Sequence, residues 1–208
     1  MTLGGIYLVT PDSIPSNFFD VTEKALISGV SILQYRSKSS GFHDKLELAQ
    51  KLSRLAYRYN KIFIIDDDAD LAMAVNADGL HIGKDDIPLS EARERLPDKI
   101  IGYSTYGSLE IAVEAQSLGA DYVSFGPFFA TISKKDAGLY DIKVLEEIRK
   151  YIHVPVFAIG GINPQNAAIL RPYNLDGICV ISWVYSSDDP GHAVRELIDA
   201  FYGEDYIN

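Results

Sequence analysis

"KIFIIDDDADLAMAVNADGLHIGKDD", Lys61 to Asp86, carries the fold in miniature. Its first part, "KIFIID", is a run of apolar, mostly β-branched and aromatic residues that reads as a buried strand. A short helix through "LAMAV" follows. "DGLHI", Asp78 to Ile82, is then a second strand. Both strands are apolar throughout, as expected when both faces of a parallel sheet are covered.

The same alternation extends in both directions. Towards the N-terminus lie the strands "GIYLVT" (Gly4 to Thr10) and "VSILQY" (Val30 to Tyr35), each followed by a helix, Phe18 to Ser28 and Asp44 to Tyr59. Towards the C-terminus the helix "LSEARERL" leads to the strand "KIIGYS" (Lys99 to Ser104), and "SLEIAVEAQSL" leads to "DYVSF" (Asp121 to Phe125). A helix from Ile142 to Tyr151 precedes "VPVFAI" (Val154 to Ile159), and one from Pro164 to about Leu170 precedes "GICVIS" (Gly177 to Ser182). Gly191 to Tyr202 closes the chain. Eight βα units of roughly 25 residues each predict an α/β fold, a single-domain (β/α)8 TIM barrel over residues 1–208. A doubly wound sheet would carry an early Gly-x-Gly-x-x-Gly turn, which is missing here. "ADGLHIG" and "GADYVSFG" hint at one motif used twice.

The chain has 208 residues and a net charge of −10, which argues against nucleic acid and anionic membrane surfaces as partners. No apolar run reaches bilayer length, and "MTLGGIYLVT" lacks the basic start of a secretory leader. The single Cys179 sits in an apolar strand and reads as a buried structural thiol, which fits a reducing cytoplasm. A homo-oligomer is left open.

In a barrel, chemistry sits where strands end. After the second strand, Gln34, Arg36 and Lys38 alternate, so an extended backbone aims an amide and two cations one way, suited to a polyanion. After the third come Asp66, Asp67 and Asp68, and after the fourth Lys84, Asp85 and Asp86. One carboxylate from each of two adjacent strand ends is a usual way to hold Mg²⁺, with water and substrate phosphate completing its shell. Helix capping explains one Asp per cluster and leaves the others unexplained. His81, within an apolar strand, reads as a packed, hydrogen-bonded core residue. Ser104, after the fifth strand, has no nearby His and reads as a hydrogen-bonding or capping group rather than a nucleophile. The connection after the sixth strand carries Thr131, Ser133, Lys134 and Lys135, suited to phosphate. Gly160 and Gly161 after the seventh strand, and the segment after the eighth, occupy the usual phosphate-binding position of the fold. Two anion sites are expected: one cationic and metal-assisted, one a backbone cradle.

Taken in order, "YLVT", "GVSILQYRSK", "DDDADLAMAVNADGLHIGKDD", "IGYST", "GADYVSFGPFFATISKKDAG", "VPVFAIGGI" and "VIS" resemble the thiamine phosphate synthase family over nearly the whole chain. The resemblance implies a transferase that joins a hydroxymethylpyrimidine diphosphate to a thiazole phosphate, releasing pyrophosphate. It also implies roles. Gln34, Arg36, Lys38 and Lys134 hold the diphosphate, Asp67 and Asp86 carry Mg²⁺, and Ser104 contacts the pyrimidine end or the diphosphate. Thr131 and Ser133, with the backbone at Gly161, Ile181 and Ser182, take the thiazole phosphate. Arg36, Lys134 and Ser104 are the catalytic set. Asp66 stands beside the diphosphate where the family usually has Asn, and Lys84 stands where Gln is common, its charge set against that of Asp66. Ala130 and Ser133 replace a more usual Pro and Thr. A thiazole tautomerase on the same barrel would need neither the carboxylates nor the diphosphate cations. A non-catalytic binder of thiamine precursors is the third reading.

Overall fold

The computed structural model describes residues 3–38, 41–130 and 138–203. Eight parallel strands, each paired with its neighbours in chain order, close into a barrel. They are β1 (Gly5–Val9), β2 (Val30–Tyr35), β3 (Ile62–Asp66), β4 (Gly79–Ile82), β5 (Ile100–Ser104), β6 (Tyr122–Phe125), β7 (Val156–Ile159) and β8 (Gly177–Val180). The helices between them are α1 (Phe18–Ile27), α2 (Phe42–Arg58), α3 (Ala69–Ala74), α4 (Leu89–Arg95), α5 (Leu109–Ser117), α6 (Val144–Tyr151) and α7 (Pro164–Ala167). A 3₁₀ turn, Ala168–Tyr173, continues α7. Beyond β8 lie α8 (Ser182–Tyr185) and α9 (Pro190–Tyr202).

The expected strands are all present, mostly shorter by one or two residues at an end. Two elements differ from expectation. The helix after β7 tightens into the 3₁₀ turn, where Pro172 has no N–H to continue an α-helix. The run "GICVIS" does not stay extended to Ser182. The strand stops at Val180, and α8 begins at once.

Strand residues facing outward pack against the helices, and those facing inward fill the barrel. Inside, the rings of Tyr7, Tyr122 and Phe157 meet edge-on or tilted, with centroids 5.4–5.9 Å apart. Gly102 in β5 makes room for one of them: a Cβ there would lie 2.0 Å from the Tyr122 ring.

The motif glimpsed twice in the sequence is used three times. Asp78, Asp121 and Asp176 precede β4, β6 and β8, and each carboxylate accepts a backbone N–H at the start of the strand before: Phe63 at 2.8 Å, Ile101 at 2.7 Å and Val156 at 2.7 Å. A hydrogen bond to a charged acceptor stabilises by about 1.5–3 kcal/mol. These clamps sit on the face of the barrel that carries stability, leaving the opposite rim to function.

Candidate active site

Two cavities lie side by side at the C-terminal rim. The larger, about 510 Å³, takes in Gln34, Arg36, Lys38, Asp66, Asp67, Asp86 and Ser104, from the ends of β2 to β5 and the loops after them. The smaller, about 440 Å³, is lined by Gly161, Ile181 and Ser182 after β7 and β8. Ile159, Gly160 and Ile181 line both, so the two spaces abut. Thr131, Ser133, Lys134 and Lys135 lie outside the described residues.

Alternation along β2 delivers Gln34, Arg36 and Lys38 to one cavity, as expected. Gln34 is buried inside the barrel, and its amide nitrogen donates to the Tyr7 hydroxyl at 2.9 Å. Arg36 reaches two carboxylates, Asp12 at 2.7 Å and Asp66 at 3.5 Å. Asp12 orients the guanidinium from the loop after β1. Nothing in "TPDS" distinguishes it from an ordinary turn residue, so it escapes sequence reading.

The three consecutive carboxylates behave differently from one another. Asp66 ends β3 and is buried. Burial first, then the Asp67 carboxylate, push its pKa up to about 7 against the pull of Lys38 and Arg36. Asp67 has φ +62°, its N–H donates to the His81 carbonyl at 2.8 Å, and the next N–H, of Asp68, returns to the Asp66 carbonyl at 2.7 Å. A non-glycine residue at the centre of such a tight turn is strained, and strain of this kind concentrates at functional sites. The Asp67 carboxylate pairs with Lys38 and lies beside that of Asp86. Asp86 also accepts the Gly83 N–H at 2.7 Å, and its pKa is raised, by burial first and then by Asp67 despite that N–H. Asp68 instead caps α3, accepting the Leu71 N–H at 2.9 Å, and Asp70 pairs with Arg95 on the surface. Capping therefore accounts for Asp68 alone.

Two expectations need correcting. Lys84 lies over the Tyr106 ring, 5.2 Å from its centroid, and the cations that bear on Asp66 are Lys38 and Arg36. Ser104 does have a histidine nearby. β4 and β5 pair with His81 opposite Gly102, which sets Ser104 two residues further on the same face, and His81 Nε2 lies 3.0 Å from Ser104 Oγ. This is not a nucleophile and its base. His81 Nδ1 meets the Tyr122 hydroxyl at 3.0 Å where a triad would place a carboxylate, and burial raises the Tyr122 pKa further, so that partner stays a neutral hydroxyl.

Gly160 and Gly161 bring main chain to the wall of the smaller cavity. Gly161 has φ +65°, and a Cβ there would lie 2.3 Å from the Ala130 carbonyl oxygen. Only glycine brings the main chain this close. Cys179 lies behind the cavity, fully buried, with burial raising its pKa, so it remains a thiol. Among the described residues no helix is long and apolar enough to cross a membrane.

A closed parallel barrel with a charged cavity and a glycine-lined one at its C-terminal rim defines a (β/α)8 enzyme of the kind that handles phosphorylated substrates. Residues 6–184 match the family described as thiamine monophosphate synthase. A thiamine-phosphate synthase of Thermoplasma acidophilum is 54% identical over 198 residues, covering 95% of this chain and 92% of the relative. Another from Picrophilus torridus is 46% identical, covering 96% of this chain and 97% of the relative. The solved thiamine phosphate pyrophosphorylase of Pyrococcus furiosus superposes with a TM-score of 0.87 at 36% identity over 95% of both chains. The chain belongs to the thiamine monophosphate synthase family, as a transferase of thiamine biosynthesis.

Proposed function

We propose that the chain joins a hydroxymethylpyrimidine diphosphate to a thiazole phosphate, forming thiamine phosphate and releasing pyrophosphate, with Mg²⁺ bound at Asp67 and Asp86. The observation that carries this reading is the joining of two unlike spaces. One cavity holds Arg36, Lys38, Asp66, Asp67 and Asp86, and it abuts a glycine-lined cavity that carries no such charges among the described residues. A transfer between two phosphorylated molecules needs two such places.

The donors suit Mg²⁺. Asp67 and Asp86 bring hard carboxylate oxygens close together, and their mutual repulsion calls for a cation. Among the described residues no three His, Cys, Asp or Glu side chains form a complete cage. Two carboxylates suffice for an ion that keeps water and substrate phosphate as its other ligands. Bound there, Mg²⁺ would neutralise charge on the diphosphate.

The chain's own residues do the rest. Arg36, held by Asp12, aims its planar fork at the diphosphate, and Lys38 adds a second charge. Gln34 is buried where Arg36 is half-buried and Lys38 exposed, so it is assigned to the pyrimidine end rather than to the diphosphate, with Ser104 beside it. Lys134 is proposed to join the diphosphate, and Thr131 and Ser133 the thiazole phosphate, alongside backbone N–H groups at Gly161, Ile181 and Ser182. The bond between the pyrimidine methylene and the diphosphate oxygen breaks, its electron pair leaves with pyrophosphate, and the thiazole nitrogen attacks the resulting cation. No protein nucleophile is needed, so catalysis is charge neutralisation and positioning. A lone buried thiol agrees with a cytoplasmic setting.

The test is ³¹P NMR of the protein with both substrates and Mg²⁺. One pyrophosphate per thiamine phosphate is expected, and Asp67→Asn or Asp86→Asn should sharply reduce turnover at limiting Mg²⁺. Isomerised thiazole without pyrophosphate would replace the synthase with a tautomerase. Binding of both substrates without turnover would make the chain a binder.

A further inference from the structure

Five polar side chains run in one line through the otherwise apolar barrel interior. Gln34 Nε2 donates to the Tyr7 hydroxyl at 2.9 Å, Tyr7 and Tyr122 hydroxyls lie 2.7 Å apart, and Tyr122 meets His81 Nδ1 at 3.0 Å. His81 Nε2 then meets Ser104 Oγ at 3.0 Å, with Ser124 Oγ further off at 3.5 Å. Both ends, Gln34 and Ser104, line the larger cavity. Tyr7 and Tyr122 do not: they are fully buried, with their pKa values raised by that burial, so each keeps its single hydroxyl proton, while His81 joins them to the cavity wall.

One proton per hydroxyl makes the line directional. An amide nitrogen only donates, so Tyr7 accepts from Gln34 and turns its own proton to Tyr122. Tyr122 has then accepted, and it gives its proton to His81 Nδ1. His81 is left with its proton on Nε2, which it donates to Ser104. Ser104 has accepted from inside, and its hydroxyl proton points into the cavity. A proton reversed at any single link would leave a buried donor facing a donor, an unsatisfied pair that folding does not tolerate cheaply. The line reverses only as a whole, with Gln34 turned to show its oxygen to Tyr7.

We propose that Tyr7, Tyr122 and His81 are positioning residues that couple the orientation of the Gln34 amide to the polarity of Ser104, so that Ser104 meets the substrate as a hydrogen-bond donor and Gln34 as an acceptor through Oε1. This deepens the function proposed above, since it gives the pyrimidine end a defined pattern of one donor and one acceptor. It also explains why two tyrosines occupy an interior that phenylalanine would fill as well by shape.

The test reads the His81 tautomer by ¹⁵N NMR and turnover by steady-state kinetics, in the wild type, Tyr122→Phe, Tyr7→Phe, Ser104→Ala and the Tyr122→Phe/Ser104→Ala double variant. The wild type should carry the proton on Nε2. Tyr7→Phe should produce a mixture of tautomers, although Tyr7 is bonded to Tyr122 and stands one link away from His81. A merely local packing role would leave the tautomer unchanged. Each tyrosine variant should lower kcat/KM about tenfold, the worth of one hydrogen bond. The double variant should lose no more than Ser104→Ala alone. A wild-type proton on Nδ1, an unchanged tautomer in Tyr7→Phe, or losses that multiply in the double variant would each overturn the proposal. The tautomer measurement needs no substrate, so it stands apart from any failure of the proposed reaction.

Discussion

The two cavities at the rim are made of different material. The larger is built from charged side chains that oppose one another: Asp66, Asp67 and Asp86 crowd together, held by Arg36 and Lys38. The smaller presents main chain shaped by Gly160 and Gly161, both at positive φ. Side-chain charge can be matched to a cation and a diphosphate, but it leaves the protein strained and sensitive to pH while those are absent. Backbone N–H groups hold a phosphate at fixed geometry and carry no titratable charge. A reaction that expels a diphosphate while merely holding a monophosphate needs the first kind of site for the leaving group and the second for the retained one.

The contrast is tested most severely at Arg36. Arg36→Ala removes the charge proposed to face the leaving group, and it should reduce kcat by roughly two to three decades, about 2–4 kcal/mol at the transition state. Arg36→Lys should recover only part of this, because the fork is lost. Steady-state kinetics with each substrate varied checks both. A loss confined to thiazole phosphate affinity would mean that the two sites are exchanged.

Asp66 supplies the next effect, on stability. Its folded pKa is about 7 against an ordinary 3.8. The folded protein therefore holds a proton that the unfolded chain has released between these values. Stability of the metal-free protein should fall as pH rises from about 4 through 7, and the full penalty is present above 7. Asp66→Asn should remove that fall and stabilise the metal-free protein at pH 8 by about 2–4 kcal/mol. Thermal melts of both proteins from pH 4 to 8 check it, and parallel pH profiles would show that Asp66 is not the strained group.

The smallest effect belongs to Asp68, which lies in the same acidic run but faces α3. Asp68→Ala should leave turnover unchanged and destabilise by about 1 kcal/mol through the lost cap. Urea unfolding alongside the activity assay checks this. A fall in turnover would put Asp68 in the site.

How far the sequence reveals these regions follows from their physics. The barrel is legible because both faces of every strand are apolar and each is followed by a helix. The aim of Gln34, Arg36 and Lys38 follows from the two-residue period of an extended chain. Contacts between strands do not follow from local pattern. His81 and Ser104 meet because β4 and β5 pair with His81 opposite Gly102, a register that neither strand specifies alone. The Tyr7–Tyr122 pair joins residues 115 positions apart. Asp12 and the turn at Asp67 depend on tertiary contacts, and α8 hides in an apolar run that reads as more strand. Of the three aspartates, local chemistry predicts a cap and a metal-binding carboxylate, whereas the burial of Asp66 depends on tertiary contacts.

The central claim is that two anion sites of different construction serve one transfer. Isothermal titration of Mg²⁺-pyrophosphate and of thiazole phosphate, separately, into the wild type, Arg36→Ala and Gly161→Ala tests it most directly. Arg36→Ala should weaken pyrophosphate and spare thiazole phosphate. Gly161→Ala, whose Cβ would meet the Ala130 carbonyl, should weaken thiazole phosphate and spare pyrophosphate. If each variant weakened both ligands equally, the two cavities would be one site, and the account would be contradicted.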